Sequence, residues 1–360
     1  VIKYYNYTVF EAAVERIKYI FDGFDNIIVS VSSGKDSSVL YSLALKEARK
    51  RNRKIKVFFL DQEAEYEGTV KIMRKIMSAK NVIPMWYQVP IYMTNATSYE
   101  QSFLFAWGEG EDWVREKESI AIKKIKEVYP KRFYDFFDWL EKKQTEKTAF
   151  LIGLRSKESL NRFRAIMKNP GYKDILWSTK TASDFVFKFY PIYDWTFGDI
   201  WKYIADNNIP YNIVYDKMYC KLGKKKNKIR ISNLIHEKSF RCLAELQEIE
   251  PETYEKLCKR LKGIHTASRY SKETMMYNND VLPSKFSSWK EYRDYLLNTI
   301  PILIKYKEKM IKRFNQQKKA ESIYQQQCKQ ILISDWENSV PINIKKESKE
   351  EFIKKWWDLL

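Results

Sequence analysis

Between residues 32 and 37 the chain reads Ser-Ser-Gly-Lys-Asp-Ser, a run of residue types suited to holding phosphate. Small residues let backbone N–H groups approach an anion, and a helix starting there adds partial positive charge at its N-terminus. Lys35 neutralises phosphate charge, Ser32, Ser33 and Ser37 offer hydroxyl donors, and Gly34 is expected to supply a turn that a β-carbon would block. Asp36 is an unusual neighbour for phosphate. It either caps the helix start or helps hold Mg²⁺, whose coordination combines carboxylate and phosphate oxygens. The run is neither GxxxxGK[ST], which occurs nowhere in the chain, nor GxGxxG.

Two further stretches carry candidate chemistry. Phe59-Leu60-Asp61-Gln62-Glu63-Ala64-Glu65-Tyr66 follows a second apolar run. Its place at the carboxyl end of that run, beside the first strand's loop, is where open α/β sheets hold their ligands; the alternative is that Asp61, Glu63 and Glu65 merely cap a helix. Gly153-Leu154-Arg155-Ser156-Lys157-Glu158-Ser159-Leu160-Asn161-Arg162 places two arginines seven residues apart, two helical turns, so that Arg155 and Arg162 can face one anion from the same side. Arg164 is less well aligned.

The elements that must position these residues alternate in type. Thr8–Phe21 has a helical apolar stripe, Ile27–Val31 is a short β-branched run of the kind buried in a parallel sheet, and Asp36–Arg51 returns to helical period. Ile55–Leu60, Val82–Val89, Ala149–Leu154 and Phe185–Tyr190 read as further strands. Helices are expected over Thr69–Ala79, Ser156–Lys168 and Thr196–Asn207, the last opening on a Thr196/Asp199 capping pair. The pattern predicts an α/β fold, doubly wound around a mostly parallel sheet. Residues 95–147 read as a largely helical insertion. A soft boundary near 215 separates this 1–215 domain from a mainly helical region, 216–360.

Composition narrows the partners. The 360 residues, 44% hydrophobic, suffice for a large core, and no apolar run reaches the length of a membrane span. The start of the chain lacks a signal-peptide layout, so a cytoplasmic protein is expected. Cys220, Cys242, Cys258 and Cys328 stand singly and His236 and His265 are the only histidines, which argues against a zinc or iron–sulfur site. The net charge of +19 is either a field for polyanions or lysine spread over a solvated surface. Within it, Lys221–Arg230, with Tyr215 and Tyr219 nearby, is suited to phosphate contact and base stacking on single-stranded nucleic acid; a solvated loop is the alternative.

The residues 32–37 resemble the motif of the PP-loop ATP pyrophosphatases, a superfamily that includes phosphoadenosine phosphosulfate (PAPS) reductase. Its usual form has Gly where Ser33 stands, a departure that several sulfate-branch members share. The stretch from Gly153 is similar to the family's Gly-x-Arg…Ser…Arg segment. Tyr190-Pro191-Ile192-Tyr193-Asp194-Trp195-Thr196, continuing through Asp199-Ile200-Trp201, Ile209-Pro210-Tyr211-Asn212 and Tyr215-Asp216, resembles its Pro-Ile-x-x-Trp-x-x-x-Asp-x-Trp block. Trp195 and Trp201 are read as packing residues, whereas Asp194 is open to a role at the site. Arg230-Ile231-Ser232, Ile249–Tyr254 and Arg260–Gly263 look like the PAPS reductase-like subfamily typified by immunoglobulin-binding regulator A, whose members commonly neighbour a ParB-like protein, a candidate partner.

The resemblance implies an adenine nucleotide alpha hydrolase-like fold, ATP or PAPS as ligand with Mg²⁺, and Lys35, Asp36, Arg155 and Arg162 as the reacting set. Ser32–Ser37, Phe59–Asp61 and Gly153 would surround the nucleotide, and Asp36, Asp61 and Glu63 would be the metal candidates. A true reductase needs the family's Glu-Cys-Gly-x-His segment, and no cysteine here has those surroundings. An enzyme forming AMP and pyrophosphate is therefore expected, with a nucleotide-binding regulatory or nucleic-acid-associated protein as the alternative.

Overall fold

A computed structural model describes residues 6–98, 101–167, 171–181, 183–222, 229, 231, 233–235, 243–270, 281–300, 304–332 and 335–336. Lys221–Arg230 lies almost wholly outside the described residues. By its contacts the chain separates into two compact units: Val1–Met93 with Phe105–Leu234 and Glu245–Arg260, and Thr94–Leu104 with Ile235–Ala244 and Leu261–Leu360.

In the first unit, α1 (Val9–Gly23) opens on a capping box in which Thr8 and Glu11 satisfy each other's backbone N–H groups. The chain continues through β1 (Asn26–Ser30), α2 (Lys35–Lys50), β2 (Ile55–Leu60), α3 (Glu67–Met77) and β3 (Val82–Tyr87). Two short strands, β4 (Ile91–Thr94) and β5 (Phe103–Ala106), form a separate small sheet. Next come α4 (Phe133–Lys142), β6 (Thr148–Ile152), a short turn of 3₁₀ helix at Ser156–Glu158 and α5 (Leu160–Met167). Edge strand β7 (Ser178–Lys180), β8 (Val186–Phe189), α6 (Phe197–Asp206) and α7 (Val214–Leu222) complete the α/β fold. Helices α8 (Leu243–Ile249) and α9 (Pro251–Arg260) follow.

The main sheet runs β3-β2-β1-β6-β8-β7. All neighbours are parallel except β7, which pairs antiparallel with β8 at the edge. Val29 of β1 stands between Val57 of β2 and Leu151 of β6, so the central strands are apolar on both faces, as a covered parallel sheet requires. Pro84 falls inside β3, and the sheet accepts it because β3 is an edge strand whose outer side needs no ladder donor. From β1 the chain builds outward through β2 and β3, then returns to β1's other side with β6. The strand order therefore reverses between β1 and β6, which is where open α/β sheets form a ligand crevice at the carboxyl ends of the strands.

The capping box expected at Thr196 and Asp199 is present. Residues 95–147 depart from the helical expectation: the described part holds β5 and one ten-residue helix, α4, and is otherwise irregular. Helical period is confined to α4, where Phe133 packs on Phe137 and Phe136 on Trp139; outside it the aromatic residues bury from irregular backbone. Trp107, fully buried at a φ of 58°, is the clearest case. The division near 215 also differs from the observed units. Glu250 caps the N-terminus of α3 by accepting from the Glu67 and Gly68 amides at 2.7 and 3.1 Å, and Arg260 pairs with Glu63, which holds α9 in the first unit.

The second unit contains α10 (Ile264–Tyr270), α11 (Trp289–Thr299), α12 (Ile304–Asn315) and α13 (Glu321–Leu332). Leu296, Leu297, Met310, Phe314, Cys328 and Ile331 form its apolar core with Trp336. This agrees with the helical character expected of the C-terminal region.

Candidate nucleotide site

The loop from β1 to α2 and the loop after β6 flank the point where the strand order reverses. Ser37, in the first turn of α2, ties the first loop together: its hydroxyl accepts from the Ser32 amide at 3.2 Å and donates to the Gly34 carbonyl at 3.0 Å. Ser32 is exposed, whereas the Ser33 side chain is fully buried with its oxygen accepting from Asn212 Nδ2 at 3.3 Å. Any contact Ser33 makes to a nucleotide thus falls to its backbone.

The special backbone position is Ser33, at a φ of 55°, and not Gly34, at −69°. This corrects the expectation for Gly34. A β-carbon there would meet Ser32 Oγ at 3.4 Å, Tyr215 Oη at 3.7 Å and Ser37 Oγ at 3.9 Å, ordinary contacts. What Gly34 keeps open is the space among the loop's hydroxyls. The left-handed conformation at Ser33 explains why a glycine would suit that place equally well.

Gly153, in the loop after β6, has the stricter requirement. A β-carbon would lie 2.9 Å from Ser37 N and Cα and 3.0 Å from Asp36 C, all backbone of the first turn of α2. Its absence lets the end of β6 abut the helix N-terminus, and Arg155 two residues later then reaches Asp36 through Nε. Lys35 Nζ meets the other Asp36 oxygen at 3.1 Å. Three charged side chains, each 15% exposed or less, converge at the head of α2. Arg155's terminal nitrogens donate to no protein atom among the described residues.

The segment after α6 supports this arrangement. Tyr215, 4% exposed, accepts the Lys35 N–H on its hydroxyl at 3.1 Å, and Lys35 Nζ sits 5.5 and 5.6 Å from the Phe197 and Tyr215 ring centroids. Asn212 links Ser33 to Thr69 of α3, donating to the Thr69 hydroxyl at 3.1 Å. Tyr215 is therefore part of the loop's foundation and is unavailable to stack on a base, contrary to expectation; Tyr219 is exposed. Cys220 is exposed as well.

The second stretch is built into the protein interior. Asp61 Oδ2 accepts from Trp86 Nε1 at 2.8 Å and Gln88 Nε2 at 2.9 Å, Arg115 meets both oxygens at 2.5 Å, and the Glu63 amide reaches Oδ1 at 3.0 Å. Its backbone N–H and C=O are taken by Tyr87 and Trp107. Glu63 accepts from the Trp107 and Val114 amides and from Arg260 Nε at 2.8, 3.1 and 2.9 Å. Both carboxylates are fully buried. A carboxylate offers about four acceptor sites, so Asp61 cannot bind Mg²⁺ without abandoning a buried donor, and Glu63, buried on three donors, keeps at most one site. Phe59 and Leu60 are core residues, Phe59 packing against Trp86. Of the metal candidates only Asp36 stands at the loop, already paired with two cations, and among the described residues no cluster of three His, Cys, Asp or Glu side chains could hold an ion. The protein side chains thus do not fit a Mg²⁺ site of their own.

Next to this network, burial, with the Asp61 carboxylate as a second cause, pushes Glu65 up from 4.5 to about 8 against the opposing pull of Arg115. Arg162 lies in α5 and pairs with Glu158 at 3.1 Å. Asp194 is held by Arg16 through two bonds of 2.8 and 2.6 Å, and Trp195 is buried with its indole on the Val9 carbonyl. Sequence reasoning missed Arg16, Arg115 and Glu250, placed Asn212 in a motif without a role, and gave Tyr215 the wrong one. No short-range pattern marks them, because these partners lie 54 to 183 residues away.

Residues 26–229 match the model of the phosphoadenosine phosphosulfate reductase domain, and the chain belongs to that family. Residues 223–351 match a separate domain of unknown function, DUF3440. The uncharacterized protein YbdN of Escherichia coli K12 is 28% identical over 81% of this chain and 75% of its own. An adenosine 5'-phosphosulfate reductase of Oceanobacillus iheyensis is 24% identical over 55% of this chain and 69% of its own. A solved PAPS reductase from Candida auris covers 64% of this chain and 97% of its own at 13% identity, with a TM-score of 0.33, too low to argue from. No helix among the described residues is long and apolar enough to cross a membrane.

Proposed function

We propose that the protein binds ATP at the β1–α2 loop and transfers its adenylyl group to an acceptor, as a PP-loop ATP pyrophosphatase does. The observation that carries this reading is the convergence of Lys35 and Arg155 on Asp36 at the N-terminus of α2, beside the strand-order reversal. An anion of the size of a phosphate group, placed where the Asp36 carboxylate lies, meets two cations and a helix N-terminus. A nucleophilic atom of the acceptor attacks the α-phosphorus, the bond from that phosphorus to the bridging oxygen breaks, and the electron pair leaves on pyrophosphate. A second nucleophile or water then displaces AMP. Lys35 and Arg155 act by spreading the charge that develops on the leaving pyrophosphate, and Gly34 leaves room for it among the loop hydroxyls. Mg²⁺ would enter with the nucleotide's own phosphates; no step here depends on a protein-built metal site.

Incubation with labelled ATP, Mg²⁺ and candidate acceptors tests the reading. AMP and pyrophosphate are expected, and Lys35→Ala should weaken ATP binding by about 1.5 to 3 kcal/mol, the worth of a charge-assisted contact. Clean formation of ADP would place the protein in another class. Reduction of a sulfonucleotide, as the names of the reductase relatives suggest, is disfavoured by the missing cysteine segment.

A second reading, a nucleotide-binding regulator that associates with nucleic acid, is favoured by the net charge of +19 and the lysines of 221–230. We infer that the chain belongs to the immunoglobulin-binding regulator A-like subfamily, with a ParB-like protein as the first partner to test by copurification. Neutralising four of those lysines should flatten the salt dependence of single-strand binding while leaving ATP affinity unchanged.

A further inference from the structure

A cavity of ≈320 Å³ opens in the first unit among α2, α3 and the segment Ile209–Pro210, with Leu45, Ile72, Ile76 and Pro210 in its walls. Three hydroxyl residues of α2, Ser38, Tyr41 and Ser42, also line it. Their bonds are poor. Ser38 Oγ is buried without a hydrogen-bond partner, Tyr41 Oη reaches the Ile76 carbonyl only at 3.4 Å, and Ser42 Oγ meets Tyr203 Oη at 3.5 Å. Buried polar atoms are ordinarily satisfied, and hydrogen bonds of that length are weak. Three hydroxyl residues with hydrogen-bond capacity to spare thus line an apolar cavity.

The charge at its mouth has one sign. Lys46, Arg49 and Lys75 are exposed and line the cavity, and no carboxylate does. Lys46 rests on Asn207 Oδ1 at 2.6 Å, while Arg49 and Lys75 make no ion pair among the described residues. Cations at the ends of α2 and α3 suit the helix dipoles, but that accounts neither for the cavity between them nor for the unsatisfied hydroxyl within it.

We propose that this cavity is a second small-molecule site, built for an organic anion with an apolar body: a carboxylate or phosphate monoester. The body lies against Leu45, Ile72 and Ile76, the hydroxyls of Ser38 and Ser42 meet its polar atoms, and the headgroup is held by Arg49 and Lys75. Its volume is at the low end for ligand pockets, of about 300 to 1,000 Å³. The site is independent of the nucleotide reading, since it uses neither Lys35 nor Arg155. It shares α2 with the phosphate loop: Ser38 follows directly on Ser37, and Pro210 precedes Asn212 by two residues.

The fluorescent probe 8-anilino-1-naphthalenesulfonate, an aryl anion, tests this on the full chain. Saturable binding at one site is expected, with displacement by octanoate or octyl phosphate at least tenfold better than by octanol; the tighter of the two anions names the headgroup. The double variant R49E/K75E, on exposed positions, should weaken the probe at least tenfold with the fold retained by circular dichroism. Ala79→Phe, which fills the cavity from its α3 side, should abolish binding, with circular dichroism confirming the fold. The proposal is overturned if no saturable binding is found, if octanol competes as well as the anions, or if the probe binds R49E/K75E as it binds the parent. Unchanged probe binding by Ala79→Phe would likewise overturn it, assigning the signal to the basic surface.

Discussion

Substituting the two glycines of the candidate site separates a packing requirement from a ligand requirement. In Gly153→Ala the new methyl group would lie 2.9 Å from Ser37 N and Cα and 3.0 Å from Asp36 C. All three are backbone atoms of a helix start, so relief requires β6's end and α2 to move apart, and overpacking of this kind costs about 1 to 3 kcal/mol. The same movement separates Arg155 from Asp36 and should weaken ATP binding at least tenfold. In Gly34→Ala the nearest atom is Ser32 Oγ at 3.4 Å and the backbone φ of −69° is unstrained. Stability should stay within about 0.5 kcal/mol of the parent, as for substitutions outside the damaging mechanisms. Binding should nonetheless fall, because the methyl projects toward the hydroxyls of Ser32 and Ser37 where phosphate must approach. Urea midpoints and ATP titrations of both variants are the assay. A Gly153→Ala protein with the parent's midpoint would falsify the close-approach argument, and a Gly34→Ala protein that binds ATP as the parent does would remove the loop's reason for a glycine.

Three more outcomes follow from the same structure. Asp36→Asn leaves Lys35 and Arg155 without their common anion, which should destabilise the ligand-free protein by on the order of 3 kcal/mol, as when one partner of a buried pair is removed. Pyrophosphate should then raise its melting temperature more than the parent's; an equal rise in both proteins would contradict the idea that Asp36 occupies the phosphate position. Glu65, at about 8 in the folded protein and near its ordinary 4.5 when unfolded, keeps a proton that the unfolded chain releases between those values. Stability should therefore fall as pH rises from 4.5 to 8. Glu65→Gln should flatten that fall by on the order of 5 kcal/mol, at about 1.4 kcal/mol per pH unit; denaturant midpoints across this range that match the parent's would count against it. Serine at Cys220, Cys242 and Cys258, with alanine at buried Cys328, should preserve nucleotide binding and AMP formation. Loss of chemistry in one well-folded single variant would revive a thiol-based reaction.

The chain's alternation of apolar runs and helical stripes determined the order of elements, because a strand covered on both faces and an amphipathic helix each have a local signature. Ile55–Leu60 coincides with β2, and the Thr196/Asp199 box opens α6 as its spacing implies. The loop Ser32–Ser37 was likewise legible, since its donors are neighbours in the chain and its place between strand and helix is set locally. Which carboxylates remain free for chemistry was not legible. Asp36, Asp61 and Glu63 look alike in sequence, yet Asp61 is saturated by Trp86, Gln88 and Arg115, and Glu63 is tied to Trp107, Val114 and Arg260, drawn from as far as 197 residues away. The irregular course of residues 95–147 has the same origin: Trp107 buries by bonding to Asp61 and Glu63, which no helical period within the segment encodes. The role of Gly153 also needed the tertiary structure, because what excludes a side chain there is the backbone of a helix that begins 118 residues earlier, brought to it by the β1–β6 pairing. Hydrogen-bond capacity and close approach are properties of groups that meet in space, and the chain alone lists the groups without pairing them.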